Sequence, residues 1–126
     1  MASFDYKRIE KYYFPILEVK VSKNNVSAFV DGLLDSGALV SLFTKNLADA
    51  LNIKIEEGRK EFLGSIGKPI TIFIHDLEFE VLGKKFTCPV AFSKEFEADF
   101  NIIGRLGFFE HFIITFDDKN NKLKIE

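Results

Sequence analysis

The chain has 126 residues, which is enough for one domain with a sizeable core but short for two. Hydrophobic residues make up 47% of it, which argues against a disordered chain, and a net charge of −2 argues against a general polyanion binder. No apolar run approaches the ~20 residues of a membrane-spanning helix. We therefore expect neither nucleic acid nor a membrane as a partner.

The first thirteen residues mix acidic, basic and aromatic side chains and lack the apolar segment of a secretory signal. We interpret residues 1–13 as an N-terminal arm, either frayed or an edge strand, and residues 14–126 as a single domain. Cys88 is the only cysteine, so it forms no disulfide within the chain, and this fits a reducing compartment. We expect a cytoplasmic protein.

The first half of the domain predicts a β-hairpin followed by a short helix. Residues 14–21 alternate between apolar and polar side chains, which is typical of a half-buried strand. A turn at residues 23–25 and a second strand over residues 26–34 would complete the hairpin. Thr44 is placed to cap a helix over residues 45–51.

The second half predicts further short strands. These cover residues 59–63, 70–74, 77–82, 85–92, 101–104, 113–116 and 123–125. Residues 105–112 have helical spacing, with Leu106, Phe109 and Phe112 expected to face inward. Several short strands with only two brief helices predict an all-β fold.

One stretch carries an acidic residue in an apolar setting. Asp35 directly follows two leucines and precedes three small residues, Ser36, Gly37 and Ala38. Burial of a carboxylate is unfavourable unless hydrogen-bond donors stabilise its negative charge. The small residues offer a hydroxyl and nearby backbone N–H groups. We therefore predict a tight loop that holds the Asp35 carboxylate and leaves one face of it open.

This stretch resembles the active-site loop of the retropepsin-like aspartic proteases, the single-domain group that includes the retroviral enzymes. A second segment resembles that family's apolar-apolar-glycine motif and consists of Asn101, Ile102, Ile103, Gly104 and Arg105. The two motifs have the family's order and separation, and the resemblance covers roughly residues 14 to 116. It implies a closed β-barrel of the acid-protease type with one or two short helices. Ile102, Ile103, Gly104 and Arg105 would then support the loop from behind.

The resemblance also implies a chemistry. Two carboxylates that share one proton can activate water and protonate the peptide carbonyl without a metal or other cofactor. This chain contains a single Asp-Ser/Thr-Gly sequence, at Asp35. The resemblance therefore implies a homodimer in which each chain contributes one Asp35 on the two-fold axis, with Ser36, Gly37 and Ala38 supporting the loop. A peptide or protein would be the substrate.

A glycine-rich stretch lies between the two motifs. It consists of Gly64, Ser65, Ile66 and Gly67 and would form a tight turn between two strands. An ordinary surface hairpin is one interpretation of it. In retropepsins a glycine-rich hairpin at this place is the flap that closes over the substrate, and these residues resemble it.

One position departs from the family pattern. Retroviral proteases usually carry an acidic residue after Asp-Ser/Thr-Gly-Ala, and it pairs with the arginine of the downstream motif. Leu39 occupies that position here, so Arg105 would need another partner, and Glu110 or Asp31 is expected. This departure favours a cellular enzyme over a viral one.

Two functions follow from the sequence. The first is an aspartic endopeptidase that acts as a homodimer. The second is a non-catalytic module that keeps the fold for peptide binding or dimerisation, because a fold does not by itself imply a function. The intact sequence from Asp35 to Ala38 favours the first.

Overall fold

The computed structural model describes residues 1–64 and 67–126. In these two ranges the strands are β1 (Ala2–Asp5), β2 (Lys7–Ile9), β3 (Tyr12–Phe14), β4 (Ile16–Lys23), β5 (Val26–Leu34), β6 (Ser41–Phe43), β7 (Arg59–Leu63), β8 (Ile70–Val81), β9 (Lys84–Phe92), β10 (Asn101–Ile103), β11 (Ile114–Asp117) and β12 (Lys122–Ile125). The helical segments are α1 (Lys45–Ala50) and two 3-10 turns, Ile55–Glu57 and Phe109–His111. None of the described helices has the length and apolarity needed to cross a membrane.

Six of the described strands close into a barrel. Their order is β4, β5, β10, β6, β9 and β8, and β8 pairs again with β4 to complete the circuit. β7 extends the sheet by pairing with the N-terminal part of β8, from Ile70 to Ile74. A separate sheet has the order β1, β12, β11. The predicted all-β, closed-barrel architecture is confirmed.

The predicted first hairpin is formed by β4 and β5. Its register runs from Ile16 opposite Leu33 to Lys23 opposite Val26. The two turn residues, Asn24 and Asn25, have φ values of 50° and 67°. Positive φ at both positions matches the right-handed twist of the strands, and asparagine tolerates it better than most residues. Two adjacent asparagines thus form the turn that joins β4 to β5.

Two predictions in the second half of the chain are wrong in detail. Residues 70–74 and 77–82 were predicted as separate strands, but residues 70–81 form the single strand β8, and Leu82 lies in the turn that follows it. The polar pair between them, His75 and Asp76, does not make a turn. His75 is buried instead, and its ring Nε2 is 3.0 Å from the carbonyl oxygen of Ile55. That polar contact allows a histidine within a barrel strand.

The second predicted helix is also wrong. Residues 105–112 contain only the 3-10 turn at Phe109–His111, because Gly107 adopts φ +76°, which no α-helix contains. Leu106 is consequently 41% exposed, whereas Phe108 is fully buried. The first helix, α1, is one residue shorter than predicted, and the Thr44 hydroxyl accepts a hydrogen bond from the backbone N–H of Leu47.

Phenylalanines dominate the core of the barrel. Phe43, Phe79, Phe92 and Phe108 are fully buried, and their rings meet at centroid distances of 5.9–6.3 Å. Such aromatic contacts add to the large apolar area that each ring buries. The unusual phenylalanine content therefore reflects core packing.

A smaller group of apolar side chains, here called the minor cluster, lies apart from this core. Its buried members are Leu42, Ile72, Ile74 and Ala91. Partly buried side chains of Val40, Leu63, Ile70 and Phe96 pack against them. The minor cluster thus links the segment before β6 to the paired strands β7 and β8.

The N-terminal arm is tied to the rest of the chain. β1 pairs with β12, from Ala2 opposite Ile125, and forms one edge of the small sheet. Tyr6 is buried, and its hydroxyl donates to Asp118 Oδ1 at 2.7 Å. Burial and this hydrogen bond together raise the pKa of the Tyr6 hydroxyl. The alternative of an edge strand is the one observed.

The lone cysteine lies inside the barrel. Cys88 is fully buried on β9, and burial raises the pKa of its thiol to about 12. The Gly107 turn packs directly on it, since a Cβ added at Gly107 would lie 3.3 Å from the Cys88 Cα. A thiol in such surroundings behaves as a small apolar side chain.

Candidate active site

The predicted loop with Asp35 connects β5 to β6. These two strands are not neighbours in the sheet, because β10 lies between them, parallel to β5 and antiparallel to β6. The chain must therefore leave β5, pass over the end of β10 and return along its other side. Asp35 lies at the first residue of that crossing, where the sheet no longer covers it.

Hydrogen bonds fix Asp35 at three points. Its backbone N–H donates to the carbonyl oxygen of Ile103 at 3.0 Å, and its own carbonyl accepts from Ala38 at 3.1 Å. The carboxylate Oδ1 accepts from the backbone N–H of Gly37 at 2.9 Å. The side chain is half-buried. The loop therefore holds one carboxylate oxygen on the backbone and leaves part of the group accessible.

The second motif lies directly against this loop. Ile103 supplies the acceptor for Asp35, and the backbone N–H of Arg105 donates to the carbonyl of Ala38 at 2.9 Å. A Cβ added at Gly104 would lie 2.7 Å from the carbonyl carbon of Val40, so only glycine fits there without movement. Ile102 pairs with β5 and β6 at once. The structure thus brings residues 102–105 and residues 35–38 together.

Two polar side chains stabilise this arrangement: Ser41, which was missed from the sequence, and Asn101, which was named there in the second motif without a role. The hydroxyl of Ser41, which is fully buried, accepts from the backbone N–H of Gly104 at 3.0 Å. The side-chain oxygen of Asn101 accepts from Thr44 at 2.9 Å, and its amide donates to the carbonyl of Asp31 at 3.3 Å. A hydroxyl at the start of a short apolar segment was the available signal for Ser41.

An open cavity of about 550 Å³ adjoins Asp35 and Ser36. Its opposite wall comes from the N-terminal arm and from the small sheet. The lining residues there include Tyr6, Tyr12, Tyr13, Phe116 and Asp118. Residues 1–13, which gave no functional signal in the sequence, thus border the candidate site.

The expected new partner of Arg105 is not found. Asp31 forms its ion pair with Lys7, and Glu110 Oε1 accepts from the backbone N–H of Gly107 at 2.8 Å. Within residues 1–64 and 67–126, no carboxylate lies within ion-pair distance of the Arg105 guanidinium. The prediction that Glu110 or Asp31 would replace the missing acidic residue is wrong.

The glycine-rich stretch joins β7 to β8, which pair from Arg59 opposite Ile74 to Leu63 opposite Ile70. Gly64 and Gly67 lie in the connection, and Gly67 has φ +108°. The predicted residues Ser65 and Ile66 lie outside the described residues. A hairpin is therefore present, and its role as a flap stays a prediction.

Metal binding has no visible basis in the described part of the chain. No three His, Cys, Asp or Glu side chains there are grouped so that they could hold an ion.

Solved structures share this architecture. A retropepsin-like aspartic protease from Rickettsia conorii matches with a TM-score of 0.68 and 17% sequence identity, over 100% of this chain and 99% of that one. The EIAV protease, complexed with the inhibitor HBY-793, matches with a TM-score of 0.58 and 20% identity, over 79% of this chain and 88% of that one. The sequence matches no protein-family model and no curated protein. Together with the closed barrel, these structural matches show that the chain has a retropepsin-like fold.

Proposed function

We propose that this protein is an aspartic endopeptidase that acts as a homodimer. The observation that carries the proposal is the Asp35 carboxylate, hydrogen-bonded to the Gly37 N–H at 2.9 Å and half-exposed at the end of β5. The solved structures that share the fold of this chain are aspartic proteases, which supports the same reaction class at the level of the fold. The substrate would be a peptide or an unfolded protein segment.

The reaction needs a second carboxylate beside Asp35. The chain has no second Asp-Ser/Thr-Gly sequence. Asp118 borders the same cavity, but its Oδ1 already accepts the hydroxyl of Tyr6 at 2.7 Å and so serves the fold. A second copy of the chain would supply the missing group as its own Asp35. One carboxylate would take a proton from water while the other donates a proton to the peptide carbonyl.

The surface beside Asp35 suits contact with a second copy. Tyr12 and Tyr13 on β3 border the cavity and are 59% and 48% exposed. Aromatic side chains are enriched in protein interfaces because they bury a large area with few rotatable bonds. A two-fold axis at Asp35 would bring the partner over this exposed aromatic surface.

The connection between β7 and β8 is proposed to cover the substrate as a flap, through Gly64, Ser65, Ile66 and Gly67. The minor cluster supports this role, because Leu63 and Ile70, the last paired residues before the connection, pack in the same group as Val40 from the segment after the Asp35 loop. The end of the hairpin next to the connection therefore lies on the side of the barrel where that segment ends.

Asp35→Asn tests the chemistry. The amide keeps the shape of the side chain and its oxygen can still accept from Gly37, so the fold should persist. It cannot act as base or acid, and we expect hydrolysis of an unfolded protein at mildly acidic pH to fall by at least about 10³-fold. Matched unfolding curves for the two proteins are the control.

Mixing the two proteins tests the dimer. A growing excess of the Asp35→Asn protein over wild type should reduce wild-type activity as subunits exchange. Each mixed dimer then has only one of the two Asp35 carboxylates that the reaction needs. Sedimentation over a concentration series should show a monomer–dimer equilibrium that parallels the activity. Undiminished activity in the mixture would contradict a shared site. Peptide binding without hydrolysis by the parent protein would favour the non-catalytic module.

A further inference from the structure

A second open cavity, of about 830 Å³, lies beside β5 and shares no lining residue with the cavity of the candidate active site. Its lining is mostly apolar. One wall comes from β5, through Ala28, Phe29 and Val30, and another comes from α1, through Leu47 and Ala50. Phe29 is 69% exposed. The cavity therefore presents apolar surface that the described part of the chain leaves uncovered.

The edge of β5 opposite β4 is only partly paired. β10 pairs with this edge at residues 32–34, and no other strand in the described ranges pairs with it. Asn101, the first residue of β10, lines the second cavity, and its side-chain amide donates to the carbonyl of Asp31 at 3.3 Å. The second cavity thus begins where β10 begins and continues along the unpaired part of β5.

The register shows which backbone groups face this free edge. The N–H of Leu34 donates to the carbonyl of Pro15, just before β4. Successive residues of a strand direct their N–H and C=O groups to alternate sides, and β4 and β5 pair without interruption from there to Val26. The N–H and C=O groups of Ser27 and Phe29 therefore point away from β4. An unpaired edge of this kind is a template for another strand.

The charges at the second cavity favour a basic group on the occupant. Lys7 and Asp31 both line it and form an ion pair with each other. Asp99 lines it as well and is exposed. No cation in the described part of the chain lies within ion-pair distance of Asp99. A lysine or arginine side chain would complement this carboxylate.

We propose that the free edge of β5 and the second cavity form a further peptide-binding site, which takes an extended segment of a partner protein. The segment would pair as a strand with Ser27 and Phe29, because only an extended chain repeats its N–H and C=O groups at the spacing of that edge. Its apolar side chains would pack on Phe29 and α1, and a basic side chain would meet Asp99. The site uses no residue of the Asp35 loop and does not depend on the proposed function.

The test titrates capped peptides of about eight residues against the Asp35→Asn protein, so that no peptide is cleaved. The peptides carry apolar residues at alternate positions and Lys, Gln or Glu at either end. We expect peptides that end in Lys to bind most tightly. In the saturated complex the N–H groups of Ser27 and Phe29 should exchange with deuterium at least about tenfold more slowly, because the peptide strand accepts hydrogen bonds from them.

Ser27→Pro tests the strand pairing. It removes one N–H from the free edge, and proline is tolerated where the N–H points away from the neighbouring strand, so the pairing with β4 should persist. Ser27→Ala is the matched control, since it removes the hydroxyl and keeps the N–H. We expect Ser27→Pro to weaken peptide binding by about tenfold, while Ser27→Ala binds like the parent protein.

Asp99→Lys tests the charge. The variant should reverse the preference, so that peptides that end in Glu bind about fivefold more tightly than those that end in Lys. An unchanged preference would overturn the basic residue assigned to the partner.

A second pair of variants covers the case in which Ser27→Pro does not fold. Phe29→Asp places a carboxylate on the apolar wall, and Ile113→Asp is its control, because Ile113 is 67% exposed and lines neither cavity. We expect peptide binding to fall by at least about tenfold in Phe29→Asp and to stay unchanged in Ile113→Asp.

Three results would overturn the site. The first is that no peptide of the library binds, or that slower exchange is confined to the Asp35 loop. The second is equal binding by Ser27→Pro and Ser27→Ala, or by Phe29→Asp and Ile113→Asp. The third is self-association without peptide that Ser27→Pro abolishes in sedimentation, which would show that a second copy of the chain occupies the edge.

Discussion

The loop that carries Asp35 and the hairpin of β7 and β8 both belong to the proposed site, yet their packing differs. The loop at residues 35–38 is bonded to β10, and the glycine behind it, Gly104, has no free space. On β7, every residue but Leu63 is exposed, and nothing lies within 4 Å of a Cβ added at Gly64. The contrast indicates that contacts fix the position of the loop that carries Asp35, whereas β7 and Gly64 of the hairpin have few neighbours.

Gly104→Ala should give the largest effect. The new methyl group would meet the backbone of Val40 and Ala38 at 2.7–3.0 Å, and backbone cannot move aside as a side chain can. We expect a loss of about 3 kcal/mol in the free energy of unfolding. Urea unfolding measures it, and a variant as stable as wild type would show that the loop is less constrained than its contacts imply.

Ser41→Ala should have an intermediate effect on the same region. The variant removes the acceptor for the backbone N–H of Gly104 and leaves that group buried without a partner. Such a loss costs about 2 kcal/mol. Urea unfolding is again the measurement, and Ser41→Thr, which keeps a hydroxyl, is the control. If Ser41→Ala and Ser41→Thr destabilise equally, the cause is packing and the hydrogen bond is not responsible.

Gly64→Ala should give the smallest effect and serves as the matched control for Gly104→Ala. The same methyl group enters open space on the hairpin. We expect a change in unfolding free energy within about 0.5 kcal/mol, or a slight gain because alanine restricts the unfolded chain. A loss as large as that of Gly104→Ala would mean that the hairpin is as tightly constrained as the loop.

Local patterns accounted for most of the fold. Alternating residues in β4 and the turn at Asn24 and Asn25 specify a hairpin that is local in sequence, and the structure contains it. The continuity of β8 through His75 was not predictable, because the polar partner of this buried histidine is the carbonyl of Ile55, twenty residues earlier. The helix predicted over residues 105–112 failed for a similar reason: Gly107 turns to pack on Cys88.

The candidate site was predictable where a motif marked it and not elsewhere. Asp35 and the segment ending at Arg105 stand out as two short patterns, and the structure brings them into contact. The tyrosines at positions 12 and 13 carry no pattern, since their place beside Asp35 depends on the path of the arm. The hydroxyl of Ser41 is visible in the sequence, but its contact with Gly104 depends on β10 entering between β5 and β6. Such long-range placement does not show in a local pattern.

The single cysteine has a practical consequence. Because the Cys88 thiol is buried and holds its proton well above neutral pH, alkylating and maleimide reagents should leave the folded protein unmodified. A cysteine introduced at an exposed position of β7, such as Lys60, would then be the sole reactive thiol. One spin label or fluorophore per subunit could be attached there. The distance between the labels on two subunits would report on assembly, and its change on addition of peptide would report on the position of the hairpin.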